Sequence, residues 1–99
     1  MATIATDQTL RTQRAEILRI ALLHGIGNIR VFGSFARGES VPDSDLDLLV
    51  DLEAGRSLLD IIGAKQDLED LLERRVDIVT ERSLSPYVRE GILKEAVCL

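Results

Sequence analysis

The seven residues LDLLVDL, Leu46 to Leu52, constrain the fold more than any others in the chain. They alternate acid and apolar residues at the start and then turn wholly apolar, as a buried strand does. Side chains two apart on a strand share a face, so Asp45 and Asp47 project side by side while Leu46 and Leu48 turn toward a core. Asp51 falls on the same face, farther along, and is expected to be solvated.

Around this strand the chain reads as one continuous α/β alternation. From Leu10 to His24, apolar Leu10, Ile17, Leu18 and Ala21 recur at helical spacing, with Gly25 as the stop. NIRVF, Asn28 to Phe32, is short, β-branched and bounded by Gly27 and Gly33, which suits a strand. After Gly55, Ser57 caps a long helix whose Leu58, Ile61, Ile62, Leu68, Leu71 and Leu72 are expected on one face, with Asp70 and Arg74 paired on the other. RVDIVT, Arg75 to Thr80, reads as a third strand in which Val76 and Ile78 face the core and Asp77 faces away. Ser85-Pro86 opens a last helix with Val88, Ile92 and Ala96 as its face. The ending AVCL fits either more helix or a short strand, and its apolar residues suit either a partner or the domain's own core.

Residues 1–99 make one domain of ordinary size. No stretch approaches the roughly 20 apolar residues of a membrane span, and the opening residues lack the pattern of a secretory signal, so a soluble, cytoplasmic protein without membrane contact is expected. A net charge of −5 and three aromatic residues argue against direct nucleic-acid binding, which needs cations and stacking surfaces. The single cysteine, Cys98, excludes an internal disulfide and reads as a small apolar residue.

Chemistry is concentrated between Gly33 and Asp51. GSFARGES, Gly33 to Ser40, matches the spacing of a phosphate loop, GxxxxGK[ST], except that Glu39 stands where the lysine should be. A carboxylate there repels phosphate, so another device must hold any nucleotide. Gly33-Ser34 closes the first strand, and the backbone N–H groups that follow, with the Ser34 hydroxyl, can point at an anion. Asp45 and Asp47 repel each other unless something compensates: taken alone the pair reads as solvated charges at a strand mouth, and in the context of the glycine-serine corner a divalent cation such as Mg²⁺, which prefers oxygen ligands, is the natural candidate. Asp77 adds a third acid on a later strand. Arg37 can meet a phosphate or brace the loop by pairing with Asp43 and Asp45, the second being favoured. Asp43 and Ser44 shape the turn after Pro42, Glu39 faces solvent, His24 ends a helix without a catalytic role, and Tyr87 is read as a half-buried packing residue.

Gly33-Ser34, ten residues, then Asp45-Leu46-Asp47, with Asp77 on a later strand, resembles the signature of the nucleotidyltransferase superfamily that includes DNA polymerase beta. At this length the chain is similar to the minimal nucleotidyltransferases that act as antitoxins beside HEPN-domain ribonuclease toxins. The resemblance implies a polymerase beta-like fold: a small mixed sheet of three or four strands in the order α-β-α-β-α-β-α. It also implies transfer of AMP from ATP to a tyrosine of a partner toxin in a hetero-oligomer. Two Mg²⁺ ions would be held by Asp45 and Asp47, with Asp77 completing the catalytic and metal site. Gly33 and Ser34 would then hold the nucleotide, with Arg37 as a further contact. Two other functions fit the same residues: an antitoxin that neutralises by binding alone, and the catalytic half of a split small-molecule transferase.

Overall fold

A computed structural model of the chain describes residues 7–41 and 43–99, so Pro42 lies outside the described residues. The elements are helix α1 (Gln8–Leu23), strand β1 (Ile26–Phe32), one-turn helix α2 (Ser34–Arg37), β2 (Leu46–Leu52), α3 (Leu58–Leu72), β3 (Val76–Thr80), α4 (Pro86–Glu95) and β4 (Val97–Cys98), with a 3₁₀ turn at Glu81–Ser83. The strands form one mixed sheet in the order β3-β2-β1-β4. β1 runs antiparallel to both β2 and β4, and β2 runs parallel to β3. The order expected from sequence is present with one added strand, and AVCL is resolved as that strand.

Two crossovers set the layers. The connection β2-α3-β3 steps outward from the sheet centre, whereas β3-α4-β4 steps back across it. Right-handed crossovers of opposite direction put their helices on opposite faces. Leu46, Leu48, Val50 and Val76, all essentially buried, share a core with Ile17 and Ala21 of α1 and with Ala64, Leu68 and Leu72 of α3. Each such large side chain contributes about 1.5–3 kcal/mol by leaving water. The alternate residues of β2, Asp47, Leu49 and Asp51, belong to the other face, on the side of α4. Leu49 is fully buried there, while the acids at either side of it keep solvent contact.

Local chemistry explains most boundaries. The Asp7 carboxylate accepts from the Leu10 amide and caps α1. Ser57 and Asp60 exchange side-chain and backbone bonds in a capping box that starts α3. The α3 stripe, however, is Ala64, Leu68 and Leu72 flanked by Ile61 and Leu71. At 100° per residue, Leu58 and Ile62 lie about 80° and 120° from its centre, and both are exposed, contrary to the sequence expectation. The Asp70–Arg74 pair is also absent among the described residues: α3 ends at Leu72, Glu73 adopts a left-handed φ of 53°, and Arg74 turns elsewhere.

The last helix departs further from expectation. α4 fully buries no residue; Val88 is 49% exposed and Tyr87, expected to be half-buried, is 97% exposed. Tyr87 stands in the first turn, on the outer side of a helix that covers the sheet only thinly. The apolar ending folds onto the domain itself. Val97 pairs with Val31 and Cys98 with Arg30, the Leu99 amide donates to the Ile29 carbonyl, and the Leu99 side chain enters the core. Cys98 alternates outward and is exposed.

Candidate active site

The site is built where β1 ends and β2 begins. Phe32, the last residue of β1, lies opposite Asp47 in the antiparallel register. Gly33 follows with φ 75° and ψ −152°, a conformation that essentially only glycine adopts. A Cβ at Gly33 would collide with the Asp47 carboxylate, so the missing side chain is what lets this carboxylate lie against the turn. α2 then makes a single turn, anchored by buried Phe35, and Gly38 leaves it in a left-handed conformation. The Ala36 and Arg37 amides donate to the Gly33 carbonyl, at 3.1 and 3.2 Å, and the Glu39 amide donates to the Ser34 carbonyl at 2.9 Å. Those amides are spent on closing the loop.

The three acids singled out from sequence are neighbours. β2 and β3 run parallel with Asp47 directly beside Asp77, and Asp45 precedes β2 by one residue. Asp45 forms an ion pair with Arg75, Oδ1 to Nε 3.2 Å, and Asp77 lies 3.7 Å from Lys65 Nζ, both on the solvent side. Asp47 has no such partner among the described residues. Burial pushes its carboxyl above the usual aspartate range, and the negative charges of Asp77, Asp45 and Glu95 push it further, against a smaller downward pull from Arg37. Among the described residues no three acids, histidines or cysteines are gathered closely enough to hold an ion as they stand. The donor set nevertheless suits a hard cation: carboxylate oxygens from adjacent strand positions, one of them crowded by like charge and lacking a counterion.

Arg37 braces the loop, but not through Asp43 or Asp45. Its Nε donates to Glu39 at 2.6 Å and its Nη1 to Glu95 at the end of α4. Glu39 is therefore exposed yet engaged. Ser44 shapes its turn as expected: its amide donates to the Val41 carbonyl and its hydroxyl accepts from the Val41 amide. His24 bonds Asp67 at 2.8 Å, away from the acids of the site.

Residues 11–99 match the nucleotidyltransferase domain family. The chain belongs to that family. It is 40% identical to protein adenylyltransferase MntA of Thermococcus cleftensis, over 98% of this chain and 96% of that one. A solved structure assigned provisionally as a minimal nucleotidyltransferase shares 54% identity with a TM-score of 0.82, covering 93% of this chain and 94% of the other. A toxin–antitoxin crystal structure with AMP-PNP has a TM-score of 0.72 over 85% of this chain and 69% of that one; at 22% identity it speaks to the fold alone.

Sequence reasoning missed several residues around this nucleotidyltransferase site. Arg74 donates to the Ser44 carbonyl at 2.9 Å while its guanidinium lies 4.7 Å from the centre of the Phe35 ring. It thus clips the start of the acid-bearing strand to the Gly33–Arg37 turn. Its Nε is buried without a hydrogen-bond partner among the described residues, which costs free energy. The Arg74-Arg75 pair, placed just before an acid-bearing strand, is the signal that could have revealed it. Glu95 carried none, because nothing in an exposed helix pattern shows which loop its end will meet.

Proposed function

We propose that this nucleotidyltransferase moves AMP from ATP to a hydroxyl of a partner protein, a toxin that it neutralises in a hetero-oligomer. The observation that carries this reading is Asp47: a partly buried carboxylate pressed against Gly33, flanked by two more acids and lacking a counterion. That arrangement is costly unless cations complete it. Asp45 and Asp47 would hold two Mg²⁺ ions, with Asp77 as the third acid, once Asp45 leaves Arg75 and Asp77 leaves Lys65. Ions held there would supply positive charge to stabilise the developing negative charge of an in-line displacement. Ser34 and the Gly33 turn face the phosphates, and Gly33 lets the backbone come close. Asp77, exposed at the sheet edge, accepts the proton of the incoming hydroxyl as its oxygen bonds the α-phosphorus and pyrophosphate departs.

The kinship with MntA supports adenylyl transfer to protein. We assign the partner to the HEPN ribonuclease toxins and the acceptor to a tyrosine on the resemblance described above. Incubating the chain with labelled ATP, Mg²⁺ and its co-purifying partner is expected to add one or more AMP masses to the partner. Asp47→Asn is expected to stop this, and equal labelling by the variant would refute the mechanism.

One observation favours a second reading, neutralisation by binding alone: Asp45 and Asp77 already have cations. Full protection of cells by Asp47→Asn would decide for it.

A further inference from the structure

We propose that Glu95 is a positioning residue that competes with nucleotide phosphate for Arg37, holding that arginine in reserve until a triphosphate displaces it. The inference rests on the reading above, in which the triphosphate lies along the Gly33–Arg37 turn.

Arg37 is half-exposed at the rim of the site, and two carboxylates occupy it, Glu39 on Nε and Glu95 on Nη1. Glu39 belongs to the same loop and moves with it. Glu95 does not: it ends α4, and the chain continues at once into β4, where Val97 pairs with Val31, two residues before Gly33. Beyond that pair, Leu99 is buried and its carbonyl accepts from Arg14 Nε at 3.0 Å. The position of the Glu95 carboxylate is therefore set by a strand ladder and a core side chain. It is the more rigidly mounted of the two partners, 25% exposed against 64% for Glu39.

Electrostatics give this placement a consequence. Glu95 and Arg37 both act on the Asp47 carboxyl, in opposite directions, so all three share one local field. A triphosphate approaching the turn meets Asp45, Asp47, Asp77, Glu39 and Glu95, with the nearest arginine already engaged. Exposed ion pairs are weak, and an arginine exchanges readily from carboxylate to a phosphate that offers two oxygens to its fork. Glu95 thus lowers affinity for free nucleotide twice, by occupying Arg37 and by adding negative charge. A clamp that merely stiffened the loop would do the opposite, because its loss would weaken binding.

The test is the affinity of the full chain for α,β-methylene-ATP with Mg²⁺, measured by calorimetry, which needs no turnover. Glu95→Gln is expected to bind about fivefold more tightly at low salt, with the gain shrinking as salt rises. In an Arg37→Ala background the same substitution is expected to give little or none of that gain. Glu95→Ala, which suits a helix, repeats the measurement should the glutamine variant fold poorly. Unchanged or weaker binding by the Glu95 variants would overturn the inference, as would an equal gain without Arg37. A wild-type chain that binds no nucleotide would remove the proposed function as well, whereas nucleotide binding with no gain at Glu95 would remove only this inference.

Discussion

Asp47 and Asp51 are the same residue type on the same face of the same strand, four positions apart, and their surroundings differ in nearly every respect. Asp51 is 59% exposed, accepts from Arg30 Nη2 at 3.0 Å and from Asn28 Nδ2 at 3.0 Å, and stands where β2 runs out toward Gly55. Asp47 is partly buried against Gly33, faces Asp77 across the parallel register, and has no counterion among the described residues. One carboxylate is satisfied by the fold, and the other is left wanting by it. Carboxylates left in this state are commonly found at functional sites.

The sharpest break would come from neutralising each acid. Asp47→Asn is expected to lower adenylyl transfer to the partner by more than about a hundredfold, beyond what loss of an outer-sphere partner costs a metal site. Asp51→Asn is expected to leave transfer within about twofold and to cost less than about 1 kcal/mol of stability, as an exposed pair should. Transfer assays and urea titrations on both variants check this, and equal losses at the two positions would erase the contrast.

Two glycines that follow strands, Gly33 after β1 and Gly55 after β2, offer a second comparison. Gly33 and Gly55 both have positive φ, 75° and 87°, so alanine at either is expected to cost about 1–3 kcal/mol through backbone strain. Only at Gly33 would the new methyl meet a carboxylate, that of Asp47; at Gly55 it would meet open space. Gly33→Ala should therefore lose stability and transfer together, whereas Gly55→Ala should lose stability alone. Thermal melts and transfer rates on the pair separate the two effects.

The smallest effect concerns pH. Because the Asp47 carboxyl is held above its usual range, the folded state binds its proton more tightly than the unfolded state does. Stability from this group is intact below the ordinary aspartate value of about 3.9 and declines as pH rises through the window just above it. Asp47→Asn removes that decline. The variant is expected to be at least as stable as the parent near neutrality, with the advantage vanishing in acid. Denaturant titrations across that range check it, and a variant clearly less stable at neutral pH would contradict the picture of an unsatisfied charge.

Much of this was legible in the residues. LDLLVDL declared a strand from Leu46 to Leu52 and the structure has the same bounds, because alternation and β-branched or apolar content act locally. Ser57 declared the start of α3 because a cap is a contact between near neighbours. Leu58 and Ile62 were misread for a related reason: a helix rich in leucine and isoleucine offers more apolar residues than one face can bury, and only the packing partner chooses the stripe. Tyr87 was misread because burial belongs to the whole fold, and α4 covers the sheet too thinly to hide it.

By itself, then, the sequence determined the elements up to the last strand, the glycine-serine corner, the three acids and the family they announce, since each depends on spacing within a few residues or on a motif that survives as a string. Tertiary structure alone decided who serves those acids. Arg75 beside Asp45, Lys65 beside Asp77, Arg74 stacked on Phe35 and Glu95 on Arg37 all join residues from separate elements. A charge on an exposed helix or loop carries no local mark of its partner, and only the crossing of the chain over the sheet supplies one.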